Sequence, residues 1–150
     1  MKSKYKWDRL NHLQLGRYAE YYTKMEFTLF GFDVYSSEVD DKGIDFVIKK
    51  DESTYCDIKV KSIRNYNYIF FPKSNFMPRA NLLAAVIVFI NEKPPELFVI
   101  SSNEWKKPNK LLVEHNYIGR KSKPEWGLNI SKQNFPILEK YKFDNIIKIL

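Results

Sequence analysis

From Leu13 to Phe30 the apolar residues Leu15, Tyr18, Ala19, Tyr22, Met25 and Leu29 recur every three or four positions. That spacing predicts an amphipathic helix, and Gly31 stands where a helix terminator belongs. The pattern then changes to period two. "FDVYSS" reads as a short strand, "VDDKG" as a turn and "IDFVIKK" as a second strand. "DEST" makes a hairpin turn into a third strand, "YCDIKVKSI", and "YNYIFF" reads as a fourth strand or hairpin arm. Asn75 is placed to cap a helix near Asn81 and Leu82, with Pro78 limiting where it starts. "AVIVFI" and "ELFVIS" flank the turn "NEKPP" and predict a buried hairpin. Residues 103–133 are rich in Pro, Lys and Asn and read as surface loops, and "NFPILEKYKF" closes with a short helix. The order is helix, strands, helix, strands, helix, which predicts an α/β (α+β) fold around a mixed sheet.

On the third strand Asp57, Lys59 and Lys61 share one face, while Cys56, Ile58 and Val60 share the other. The apolar set suits a core. The charged set points to solvent or to a site, and Asp45 on the neighbouring strand can lie across from it. Read alone, the segment describes an antiparallel sheet with one wet face of paired charges. Cleaving a phosphodiester asks for more: a divalent metal on carboxylate oxygens and a fixed ammonium near the attacking water.

Composition adds four limits. A chain of 150 residues, 44% hydrophobic, is most simply one folded domain, 1–150. Its 25 basic against 18 acidic residues, a formal charge of +7, favour a polyanionic partner such as double-stranded DNA. The start "MKSKYKWDRLNH" lacks an apolar signal core, and the run Leu82 to Ile90 is too short to span a bilayer. A soluble, cytoplasmic protein without a membrane role is expected. The one cysteine, Cys56, forms no intrachain disulfide and suits a buried strand position.

The helix with Glu20 in "GRYAEYY", the aspartate of "DDKGIDFVI" and the lysine of "VKS" together resemble the PD-(D/E)XK nuclease superfamily. Later stretches, "FFPKSNF", "ELFVISSNEW" and "SKPEWGLNISKQNFPILEKYKF", are similar to small uncharacterised or homing-type bacterial members in content and order. The resemblance implies a restriction-endonuclease-like core and a metal-dependent DNA endonuclease. It implies Glu20, Asp45 and Lys61 as the catalytic set, with Asp45 and Glu20 on Mg²⁺ (Mn²⁺ as an alternative). It also implies a homodimer or higher symmetric assembly, because cutting both strands usually takes two sites.

One position departs from the pattern. Two residues before the lysine the superfamily carries an oxygen donor, and here stands Lys59. A charged ammonium has no lone pair and repels a divalent cation. Three readings stay open: Lys59 turns away; the register shifts, with Asp57 as ligand and Lys59 as catalytic lysine; or the site does not cut and the chain is a nuclease-fold module that binds DNA or a protein partner.

Simpler roles exist for each residue. Glu20 can pair with Arg17 and Lys24 on its own helix, and Asp45, Asp40 or Asp41 can cap a turn. His12 and His115 lack ligand spacing, and Trp105 and Trp126 read as packing residues. Candidate DNA contacts are Arg64, Lys73, Arg79, Arg120, Lys121 and Lys123, the last three in the basic loop "YIGRKSKPEW".

Overall fold

Asn11 starts the first helix, α1 (His12–Leu29), through a reciprocal cap: its side chain accepts the Gln14 N–H, and the Gln14 side chain accepts its own. The structure, a computed structural model, describes residues 2–39 and 42–150. Leu15, Ala19, Thr23 and Phe27 form the buried stripe of α1, and Gly31 follows at φ 89°, the left-handed turn that glycine adopts without a Cβ penalty.

That stripe lies on a five-stranded mixed sheet of β1 (Asp33–Tyr35), β2 (Phe46–Lys49), β3 (Tyr55–Arg64), β5 (Leu82–Phe89) and β6 (Glu96–Ser101), in the order β1-β2-β3-β5-β6. β3 and β5 run parallel, and the other pairs are antiparallel. The "DEST" turn is held by Asp51, whose carboxylate accepts the N–H groups of Ser53 and Thr54 and is kept below the usual carboxylate range by those bonds. The residues predicted as the turn before β2 include Asp40 and Asp41, which lie outside the described residues.

All eight residues of β5 are buried because both faces of the sheet are covered. Leu83, Ala85, Ile87 and Phe89 join the cluster under α1 with Phe46, Ile48, Cys56 and Ile58. Leu82, Ala84, Val86 and Val88 face the other way, onto a second cluster with Phe71, Phe76, Trp105 and Leu128.

This second cluster carries the main departures from the sequence reading. Residues 103–133 are not loops throughout. After a 3-10 turn at Ser102–Lys106 they supply β7 (Leu112–His115) and β8 (Glu125–Asn129), which join β4 (Tyr68–Pro72) in a three-stranded sheet, order β4-β8-β7. Trp126, Leu128 and Leu112 turn inward, and Trp105 donates its indole N–H to Gly127 O at 2.8 Å. The helix expected after Asn75 is absent too: Lys73–Asn75 form a single 3-10 turn, and Leu82 already belongs to β5. Phe76 explains this. It is fully buried, stacked at 4.3 Å on Phe71, with φ −143° and ψ 74° that a helix would not allow, and Pro78 follows. The C-terminal segment forms α2 (Phe135–Leu138) and α3 (Phe143–Ile146), joined by a 3-10 turn.

Candidate active site

β3 outruns β2. The β2 pairing ends at Phe46↔Ile58, whereas β5 pairs β3 as far as Arg64↔Phe89. Asp45 stands at the step this leaves in the sheet. Its N–H donates to Ile58 O at 3.0 Å, and its Oδ2 accepts the Val60 N–H at 2.6 Å. A strand N–H that β2 no longer reaches is therefore satisfied by a carboxylate. The bond is charge-assisted and fixes the side chain against β3.

Lys61, one residue further on, shares a face with Lys59 as the alternation predicts. Its Nζ lies 5.9 Å from the Phe70 ring centroid and 5.7 Å from that of Phe71. Burial lowers the proton affinity of its ammonium, the Lys59 charge lowers it further, and Asp45 opposes both. Asp45, Lys59 and Lys61 are thus one electrostatic group.

Glu20 has partners on its own helix: Oε1 is 3.2 Å from Lys24 Nζ, and Oε2 is 3.8 Å from Arg17. The side chains of Glu20 and Lys24 are each only 21% exposed. Lys24 Nζ sits 5.7 Å from the ring of Phe46, the residue after Asp45. The Glu20–Lys24 pair therefore flanks the start of β2 from the α1 side. An i,i+4 pair of this kind contributes only about 0.3–0.5 kcal/mol, little enough for a stronger partner to displace.

Asp57, the ligand of the shifted register, is committed elsewhere. Its Oδ2 pairs with Arg79 at 2.6 Å, and Arg79 also donates to Asn81 Oδ1 at 2.6 Å. Among the described residues no three His, Cys, Asp or Glu side chains gather closely enough to hold a metal ion by themselves. Magnesium asks for less, because it is usually held by one or two carboxylates and completed by substrate phosphate and water. Asp45 is one such carboxylate, beside Lys61, while Glu20 is held by Lys24 on α1.

The expected DNA contacts divide. Arg64 is on the α1 face and donates to Trp7 O at 2.7 Å and Leu10 O at 2.6 Å, tying the N-terminal segment to β3. Lys73 pairs with Glu114, donates to Asn116 and lies 4.0 Å over the Trp126 ring. Arg79 bridges Asp57 and Asn81. Arg120, Lys121 and Lys123 stand exposed in the β7–β8 loop, and among the described residues none of them forms an ion pair. The rings of Phe70 and Phe71 beside Lys61 were missed. The sequence signal was the alternation in "YIFF", but it does not show which strand β4 packs on.

A mixed sheet with α1 on one face, a hairpin into β3 and a charged corner where β2 stops defines a restriction-endonuclease-like fold. The Holliday junction resolvase Hjc of the archaeal hyperthermophile Archaeoglobus fulgidus shares it at TM-score 0.51 and 12% identity, over 81% of this chain and 88% of that one. A bacterial homing endonuclease shares it at TM-score 0.55 and 16% identity, over 93% of this chain and 94% of the other. No family model and no curated protein sequence matches the chain.

Proposed function

We propose that the chain is a DNA endonuclease that hydrolyses a phosphodiester bond at the corner formed by Asp45 and Lys61, with Mg²⁺ as its metal and Mn²⁺ as a substitute. The observation that carries this is the Asp45 carboxylate, pinned by the Val60 N–H beside a half-buried lysine whose hold on its proton is weakened. The two solved neighbours support it by what they are, a junction resolvase and a homing endonuclease.

Asp45 and Glu20 are the residues that hold the metal. Bound there, it supplies polarisation of the phosphate and a more acidic water. Lys61 Nζ orients the attacking water and exchanges a proton with it, a task suited to an amine whose charge is disfavoured. Arg120, Lys121 and Lys123 bind backbone phosphates. Cutting a duplex on both strands calls for a second copy of the site, so the active form is a symmetric dimer or higher assembly.

The test is nicking of supercoiled plasmid with Mg²⁺, with Mn²⁺ and with chelator. Metal-dependent nicking is expected, reduced by roughly a hundredfold or more in Asp45→Asn and Lys61→Ala. DNA that is bound but never cut would overturn it.

Lys59 supports a second reading, a DNA-binding module that has lost cleavage, because its ammonium takes the place of an oxygen donor next to Lys61. On that reading the wild type binds without cutting, and Lys59→Gln or Lys59→Glu brings metal-dependent cutting with it.

A further inference from the structure

The outer face of the three-stranded sheet carries a row of aromatic rings that ends at Lys61. Phe70 lies 5.9 Å from Lys61 Nζ. Tyr68 follows at 6.3 Å from Phe70, His115 at 6.0 Å from Tyr68, and Tyr117 at 5.4 Å from His115. Beyond Tyr117 comes the basic loop. Phe70 is 44% exposed and His115 is exposed, so these rings do not belong to a core.

The row is built rather than scattered. A Cβ on Gly127 would collide with the Tyr68 hydroxyl oxygen, so the bare backbone of β8 lets the Tyr68 ring lie against it. The Tyr68 hydroxyl donates to Glu125, and the charge of the same carboxylate reaches Tyr117. Glu125 is only 7% exposed, so its negative charge lies sheltered while it holds Tyr68 in place. Glu114, the acid of β7, is paired with Lys73. The cations at the two ends of the row are the half-buried Lys61, beside Asp45, and the exposed Arg120, Lys121 and Lys123.

We propose that this row is a stacking platform for unpaired nucleotides, leading a single strand from the basic loop to Lys61. Rings with an outward face and a phosphate-binding cation at each end are what an unpaired strand recognises, because every base has a face to stack and a phosphate to neutralise. A closed duplex offers the phosphates but hides the base faces. The preferred substrate is therefore DNA with an unpaired stretch, such as a fork, flap or branch. The assignment of Lys61 as the cutting end rests on the endonuclease reading; the platform itself does not.

The test is fluorescence anisotropy of the full chain in chelator, so that nothing is cut, with a labelled oligothymidylate and with a duplex of equal length. Phe70→Ala should weaken single-strand binding roughly five- to fiftyfold while leaving duplex binding within about twofold. Phe70→Trp should restore it, and the new indole, on an exposed strand position, should be quenched when the oligonucleotide binds. Equal weakening on both ligands, or no weakening on the single strand, overturns the platform, whatever the plasmid assay shows. Selective weakening together with an absence of metal-dependent cutting supports the platform and counts against the nuclease.

Discussion

The carboxylate of Asp45 accepts the backbone N–H of Val60 at 2.6 Å, one residue before Lys61 on β3. One side chain therefore does two jobs: it completes a strand edge and places a negative charge at the lysine. The two separate by substitution. Asp45→Asn keeps an oxygen acceptor for Val60 and should cost less than about 1 kcal/mol of stability, while Asp45→Ala leaves a half-buried N–H unpaired and should cost about 1–2 kcal/mol. Cleavage should be lost in both. Urea denaturation alongside the plasmid assay checks this, and equal stability losses would mean that the bond to Val60 contributes nothing.

Lys59 should set the protonation of Lys61. Burial is the first cause of Lys61's lowered proton affinity and the Lys59 charge the second. Lys59→Gln removes a neighbouring cation, so the Lys61 titration must move up, toward the ordinary lysine range. The folded protein binds fewer protons at Lys61 than the unfolded chain does between the depressed value and the ordinary one. Stability therefore rises with pH across that window, and the window narrows in Lys59→Gln. Isotope-edited NMR of the lysine side chains reads the shift directly. The same substitution replaces a repelling cation with an oxygen donor and should raise metal affinity, and an unchanged affinity would place Lys59 outside the site.

The parts of this picture legible in the sequence are those set by neighbours in the chain. The α1 helix, the β2–β3 hairpin with its alternating faces, and the β5–β6 hairpin follow from local periodicity and turn residues. The buried stripe of α1 was misplaced in its second half, because Thr23 and Phe27 face the core while Met25 and Leu29 are exposed. The pairings of Glu20 with Arg17 and Lys24 were legible from helix spacing, and both are present. The three-stranded sheet was not legible, because β4 finds its partner β8 across an intervening β5–β6 hairpin and β7. β7 and β8 also sit in a stretch whose Lys, Asn and Pro content describes the loop between them better than the strands themselves. Arg64 shows the same limit in one residue: alternation from Lys61 does not reveal that its guanidinium meets two carbonyls more than fifty positions earlier.

Arg64 accordingly yields a prediction opposite to that for a DNA contact. Its guanidinium bonds Trp7 O and Leu10 O, in the segment that leads into α1. Arg64→Met should destabilise the protein by roughly 1.5–3 kcal/mol, as expected for losing charged hydrogen bonds with part-buried acceptors left behind. The salt dependence of DNA binding should not change. Lys121→Glu should do the reverse, leaving the melting temperature alone and lowering the slope of log affinity against log salt by about one or more. A double comparison of melting temperature and salt slope separates the two roles, and a reduced slope in Arg64→Met would return that residue to the DNA surface.

Gly127 is the most sensitive position on the aromatic face. Trp105 needs only its carbonyl, so a side chain there leaves that bond intact. The Cβ of Gly127→Ala, however, would collide with the Tyr68 hydroxyl oxygen and meet two ring carbons at 2.6 and 2.7 Å, so the ring must give way. Tyr68 must swing away, which breaks its bond to Glu125 and leaves a largely buried carboxylate short of a donor. A cost of about 1–3 kcal/mol is expected for the overpacking and the lost bond together. If the clash with Tyr68 is the cause, removing the ring should relieve it: Gly127→Ala combined with Tyr68→Ala should cost less than the two single changes added, with a coupling of about 1 kcal/mol or more. Strict additivity in thermal or urea unfolding would show that Gly127 is required for the β8 backbone itself and not for the ring that lies across it.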